Sequence, residues 1–299
     1  MKKNTLFIIF FITSLTQLTA QSFNQEIKQE GKSSPHLLGK INKQALSSEP
    51  YNQWFLTNQT EYTPKKSTVD SIQNQLSQYT VTIFMGTWCG DSKREVPRFY
   101  KILEEADFSL NRITTIAVNN QRTQYKQSPG GEHEGLNIHR VPTFIFYKDG
   151  KEVNRIVESP KKTLEEDILD IISGNYSPKY QSVVLIDELL KEKGIDYIYK
   201  KNKKIISQLK NKTKSLYELN TYANVLFFSD KKEEALAVLK LNTELFSNEP
   251  NTFISLANKH LQMNNIKEAI ESYERSLKIS KNEEIEIKIQ ELNNSLNIE

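Results

Sequence analysis

The stretch FMGTWCGDSKREVPRFYKIL, residues 84–103, decides the reading of the chain. It opens in an apolar run, VTIFMG (81–86), whose β-branched and aromatic residues predict a strand. It closes in a segment, DSKREVPRFYKILEEA (91–106), that predicts a helix. Cys89, the single cysteine of the 299 residues, falls in the turn between them. The first N–H groups of a helix have no partner within the helix, and here they point towards the sulfur. A charge at such an end is stabilised by about 0.3–2 kcal/mol. Asp91 opposes a thiolate, and Lys93 and Arg94 offset part of that opposition. The expectation is a modestly activated, reactive thiol. One cysteine excludes an internal disulfide, so this thiol can pair only with another molecule.

Working outward, ITTIAV (113–118), TFIFYK (143–148) and VNRIV (153–157) also read as strands, and KTLEEDILDIIS (162–173) as a helix. Asp149-Gly150 between the last two strands predicts a hairpin. Strands separated by helices imply an α/β core with some parallel pairing and an antiparallel edge. Pro97 predicts a kink within the helix that follows the cysteine. Upstream, EPYNQWF (49–55) places Pro50 in a helix first turn, with Tyr51, Trp54 and Phe55 on a core-facing stripe. Ser67 reads as the cap of a helix ending near Tyr79, and QEIKQEGKSSP (25–35) as a flexible start.

After residue 180 the strand signals stop. Ala223 recurs as Ala257 and Ala235 as Ala269, each pair 34 positions apart. EEALAVLKLNTELF (233–246) aligns with KEAIESYERSLKI (267–279). Small residues at a 34-residue period suit two helices that cross closely, and the pattern resembles the tetratricopeptide repeat. Two repeats are expected, at 216–249 and 250–283, with 183–210 and 284–296 as flanking helices because two repeats rarely stand alone. KKNKK (200–204) reads as a solvated face or connection, with a surface for an acidic partner as the alternative.

Residues 1–20 carry Lys2, Lys3, a short apolar run and Ala20, the pattern of a secretory leader; an uncleaved anchor is the alternative. No other segment approaches the roughly twenty apolar residues of a spanning helix. A net charge of +3 is too small to argue for nucleic acid, while 26% charged residues and a mean hydropathy of −0.58 describe a soluble chain. No phosphate-binding glycine loop follows a strand. His36, His133, His139 and His260 lack a metal-binding spacing, so neither cofactor nor metal is expected. SPGGE (128–132) reads as a turn-rich loop.

The strand, the Trp-Cys-Gly-Asp-Ser motif, the helix with its internal proline and the later VPTFIFYKDGKEV (141–153) together resemble the thioredoxin superfamily. The resemblance covers residues 70–175 and implies a cis proline at Pro142 beside Cys89, with Val141 offering backbone groups to a bound peptide or thiol. Trp88, Gly90, Asp91 and Ser92 would shape the site. Two positions depart from the family. The resolving cysteine falls on Ser92, and the buried acid six residues before the first cysteine falls on Ile83. Both missing groups serve the resolution of a mixed disulfide, so release would need an outside thiol. Ser92 is expected to donate to the Cys89 sulfur or to cap the helix.

The expected division is a leader at 1–20, an N-terminal extension at 21–66, a thioredoxin-like domain at 67–178 and an all-α repeat domain at 179–299. The leading reading is an exported, periplasmic or secreted monothiol protein exchanging disulfides through Cys89 with a protein or low-molecular-weight thiol, its repeats recruiting a protein partner. The second is a non-catalytic scaffold using the thioredoxin-fold groove and the repeats. A third, glutathione or iron–sulfur handling, rests on Cys-Gly-Asp-Ser alone. None involves nucleic acid, or stable membrane insertion once the leader is removed.

Overall fold

The computed structural model describes residues 23–28 and 34–296. The leader expected at 1–20 lies outside the described residues. β1 (Gln25–Ile27) and β2 (His36–Ile41) come first, then α1 (Lys43–Leu46), α2 (Asn52–Glu61) and α3 (Lys66–Leu76). β3 (Tyr79–Met85), α4 (Gly90–Glu105), β4 (Ile113–Ala117), β5 (Thr143–Lys148), β6 (Lys151–Val157) and α5 (Leu164–Ile172) complete the α/β part. The strands form one mixed sheet in the order β1-β2-β4-β3-β5-β6. Only β3 and β4 run parallel, with Ile83 opposite Thr115. The crossover between them is α4, and the N-terminus of that helix therefore lies at the carboxyl end of β3, where Cys89 is.

Both faces of the sheet are covered, which is why its strands read as unbroken apolar runs. Val81, Ile83 and Met85 point into a core with Phe99, Phe144, Phe146, Ile72 and Ile168. Phe99 stacks on Phe144 at 4.3 Å. Phe84, one step out of phase, faces a smaller core of Ile116, Val118, Ile138, Val141 and Ile145, against which Trp88 and Cys89 pack. The β5–β6 turn is made by Asp149 and Gly150 with φ of 50° and 74°, the left-handed pair that a two-residue hairpin requires.

Several local expectations are corrected. Residues 25–27 and 36–41 are strands, and β2 pairs with β4, Gly39 opposite Ala117. Part of the expected extension thus belongs to the sheet. Pro50 follows a cis peptide bond and lies two residues before α2, outside its first turn. The Tyr51, Trp54 and Phe55 stripe does pack on the core. α3 is capped by Lys65 rather than Ser67, and it ends at Leu76 because Tyr79 already belongs to β3.

Beyond residue 180 every described element is helical: α6 (Gln181–Lys193), α7 (Ile195–Lys200), α8 (Asn202–Leu209), α9 (Leu216–Phe228), α10 (Lys232–Leu245), α11 (Pro250–Gln262), α12 (Ile266–Ile279) and α13 (Glu283–Leu296). α9 and α11 begin and end 34 residues apart, and so do α10 and α12. The period seen in the alanines is therefore a period of whole helices. Ala223, Ala235, Ala257 and Ala269 are all fully buried where the paired helices meet. KKNKK spans the break between α7 and α8, its lysines exposed. No described helix is long and apolar enough to cross a membrane.

The two parts meet along the segment before β5 and along β6. Val157 of β6 packs into the core of the helical region. Tyr180 donates to Glu158, which also pairs with Arg140 and Lys179. Asn137 and Tyr222 both donate to one oxygen of Asp187, at 2.5 and 2.9 Å.

Candidate functional site around Cys89

Cys89 is the N-cap of α4, in extended backbone conformation, with no side-chain cap hydrogen bond. Its sulfur is half-buried and donates to the Val141 carbonyl oxygen at 3.2 Å. The Val141–Pro142 peptide is cis. Two segments 52 residues apart in sequence thus converge on one sulfur. β3 and β5 are adjacent and antiparallel, Phe84 opposite Thr143, so the end of one strand abuts the start of the other.

Each neighbour has an identifiable position. Trp88 donates its indole N–H to the Val118 carbonyl at 2.8 Å, which fixes the ring across the end of β4. Thr87 accepts from the Leu37 N–H at 3.1 Å and ties the motif to β2. Asp91 pairs with Arg94 at 2.7 Å, and Arg94 also reaches Glu95 at 2.6 Å. The acid beside the thiol is thereby held by a cation of its own helix. Lys93 is turned away, its ammonium 6.0 Å from the Trp54 ring. A Cβ at Gly90 would meet nothing within 4 Å, so packing does not demand glycine there. At Gly86 it does, because a Cβ would come within 2.4 Å of the Trp88 ring.

Ser92 fulfils neither expected role. Cys89, not Ser92, is the N-cap, and the serine is fully buried in the first turn of α4. Its hydroxyl accepts from the Gly86 N–H at 3.2 Å. The helix geometry carries the side chain inward to the end of β3, where a buried N–H needs an acceptor. Ile83 lies in the core.

The histidines have local partners. His133 accepts from the Ser128 N–H at 3.1 Å, and Glu132 takes the Ser128 hydroxyl at 2.6 Å, which folds SPGGE onto itself. His139 is buried between the rings of Tyr180 and Tyr222. Among the described residues no cluster of three or more histidine, cysteine or acidic side chains could hold a metal.

Other residues escaped the sequence reading. Tyr125 and Lys126 lie in the loop after β4, and Arg140 directly precedes Val141, whose carbonyl accepts from the thiol. Tyr125 and Lys126 lie close enough to Cys89 to feel its charge. Lys126 is 5% exposed, and burial followed by repulsion from Arg140 pushes its ammonium down to about 7. Glu158 is pushed up by burial, but hydrogen bonds from Tyr180 and Arg140 outweigh this and hold it below the ordinary carboxylate range. No motif announces a buried lysine, because a lysine's local signal is exposure.

Comparison with known proteins bears on the family of the chain. A family model described as Thioredoxin matches residues 42–170. Thioredoxin Asp f 28 of Aspergillus fumigatus is 33% identical over 92 residues, covering 30% of this chain and 76% of that protein. The chain belongs to the thioredoxin family. The chain is also 27% identical to Thioredoxin-2 of Saccharomyces cerevisiae over 103 residues, 34% of this chain and 88% of the yeast protein. A TPR repeat-containing thioredoxin, TDX of Arabidopsis thaliana, is 28% identical over 92 residues, 31% of this chain. The match spans only 22% of that plant protein's length.

Proposed function

We propose that this chain is an exported monothiol exchange protein working through Cys89. The observation that carries the reading is the pairing of a half-buried thiol at a helix N-terminus with a fully buried Ser92 whose hydroxyl is engaged by Gly86. A single thiolate attacks a disulfide and holds the mixed disulfide until an outside thiol releases it. Trp88 and Pro142 wall the site, Val141 supplies a backbone acceptor, and Gly90, Asp91 and Ser92 set the turn that presents the sulfur.

The helical repeats supply a place for a protein partner in this reading. A groove of about 430 Å³ is lined by Asn220, Asn224, Asn258 and Lys259 from α9 and α11, with Arg122 and Tyr125 from the loop after β4. Tyr125 belongs to the loop after β4, and Val118 at the start of that loop holds the Trp88 indole next to Cys89 in the chain. A chain held in the groove is concentrated beside the thiol, without any gain in intrinsic reactivity. The TPR-containing plant thioredoxin supports the combination of the two parts in one chain. Export rests on the leader pattern at residues 1–20.

The test is turnover of a disulfide-linked peptide pair by the mature chain with glutathione as the outside thiol. Acceleration that disappears in Cys89→Ser supports the exchange reading. A rate equal to that of glutathione alone rejects it and leaves the scaffold reading, in which the groove and repeats bind without chemistry.

A further inference from the structure

Glu158 sits one residue beyond the end of β6 with a φ of 68°, in the left-handed region. Glutamate takes that conformation rarely, and it persists only where surrounding contacts impose it. Those contacts are specific. The β5–β6 pairing ends with Thr143 opposite Val157. One step further, the Glu158 N–H donates to the Pro142 carbonyl at 2.7 Å. The Glu158 carboxylate pairs with the Arg140 guanidinium. One residue thus grips both chain neighbours of Val141, whose carbonyl accepts from the Cys89 sulfur at 3.2 Å. Thr143 adds a further tie, its hydroxyl donating to the Arg140 carbonyl at 2.7 Å.

The carboxylate divides its two oxygens between the two parts of the molecule. Oε1 takes Arg140, and Oε2 takes the hydroxyl of Tyr180, the N-cap of α6. Lys179 lies 3.5 Å from Oε2 and donates to the Ser159 hydroxyl at 2.6 Å. The Arg140 guanidinium rests 4.8 Å over the Tyr180 ring. Direct contacts therefore run from Tyr180 through Glu158 to Arg140 and Pro142, and so to Val141 and the sulfur.

We propose that Glu158 is a positioning residue for the exchange reaction, holding the Val141 carbonyl for an incoming peptide and fastening it to the first helix of the helical region. The inference rests on the exchange reading of Cys89 and adds that the helical region helps to build the site. In the reaction the Cys89 thiolate bonds to one sulfur of R–S–S–R′, and R′–S⁻ leaves. An outside thiolate R″–S⁻ then attacks the R sulfur, forming R–S–S–R″ and returning the Cys89 thiolate. Glu158 exchanges no proton in either step. A peptide disulfide places a backbone N–H on the Val141 carbonyl that the ionised thiol has vacated. A small disulfide has no such N–H to place. Loosening residues 140–142 therefore slows the peptide and spares the small disulfide, whereas a clamp serving stability alone leaves the ratio of the two rates unchanged.

The experiment measures exchange of a disulfide-linked peptide pair and of hydroxyethyl disulfide by the mature chain, with glutathione as the outside thiol. Wild type is compared with Glu158→Gly, Glu158→Gln, Tyr180→Phe and the combination of Glu158→Gly with Tyr180→Phe. Glycine accepts a φ of 68°, so Glu158→Gly removes the carboxylate without adding backbone strain. Glu158→Gln keeps the length of the side chain and carries the same comparison should the glycine variant not fold. The expected kcat/KM for the peptide falls about tenfold in Glu158→Gly and less in Glu158→Gln, while hydroxyethyl disulfide stays within about twofold. Tyr180→Phe, in the other part of the molecule, should slow the peptide about threefold alone and add nothing to Glu158→Gly. A wild type that exchanges neither disulfide overturns both the exchange reading and this inference. Exchange of the small disulfide alone, Glu158 variants at the wild-type rate, or variants slowed equally on both substrates overturn the positioning role and leave the exchange reading standing. Fully additive effects of Tyr180→Phe and Glu158→Gly overturn the link to the helical region.

Discussion

The Cys89 sulfur donates its proton to the Val141 carbonyl oxygen at 3.2 Å, across 52 residues of sequence. The bond exists only while the sulfur is protonated, because a thiolate or a disulfide has nothing to donate. The resting thiol therefore occupies the acceptor that an incoming backbone N–H would use, and vacates it on ionisation. With one cysteine in the chain, the S–H stretching band has a single source. In the folded protein it should lie at lower frequency than in an unfolded control and vanish in Cys89→Ser. A band at the unfolded position would mean the bond is not made.

Gly86→Ala should disturb the site through Trp88. The added Cβ would stand 2.4 Å from the indole ring, which must move and abandon the Val118 carbonyl. Overpacking of this kind costs about 1–3 kcal/mol. In a Trp54→Phe background Trp88 is the remaining tryptophan of two, so its emission reports the change directly. A red shift with lowered stability is expected; unchanged emission would show that the ring is not held as described.

Ser92→Ala separates structure from chemistry. It leaves the buried Gly86 N–H without its acceptor, at a cost of about 1–3 kcal/mol in urea unfolding. Because the hydroxyl contacts Gly86 and not the sulfur, Cys89 alkylation should change less than twofold. A large change in thiol reactivity at unaltered stability would restore the view that Ser92 acts on the sulfur.

His139 should make the fold acid-sensitive. Burial, then repulsion from Arg140 and Arg155, lowers it to about 3. The folded chain keeps this ring neutral while the unfolded chain takes up a proton below about 6.5. Stability is therefore complete above about 6.5 and falls as pH drops towards 3. His139→Phe keeps a ring between Tyr180 and Tyr222, removes a buried Nε2 that has no hydrogen-bond partner, and removes the titration. The difference in unfolding free energy between pH 7 and pH 4 should shrink by about 3 kcal/mol. An identical acid limb in the variant would assign the sensitivity elsewhere.

What sequence could reveal follows from range. The β5–β6 hairpin was legible because Asp149-Gly150 carries its own turn chemistry, and the repeats because Ala223 and Ala257 lie a whole helix pair apart. The convergence of Cys89 and Pro142 was legible as two motifs in a family's order. β2 was not: HLLGKI contains a left-handed Gly39, and its strand character comes from pairing with β4. Ser92 was misread because its direction depends on an unpaired N–H at the end of β3. Lys126 was invisible because a lysine's local signal is exposure, whereas its burial is set by Asn119 and the packing of a distant loop.

The account's central claim is that one thiol does the chemistry and no second thiol in the chain resolves it. Its most direct test is intact-mass spectrometry of the mature protein after reaction with a small disulfide, before and after glutathione is added. The account predicts a single adduct on Cys89 that persists after excess disulfide is removed and disappears on addition of glutathione, with no adduct in Cys89→Ser. No adduct on folded wild type would contradict it, as would an adduct that is released without an outside thiol.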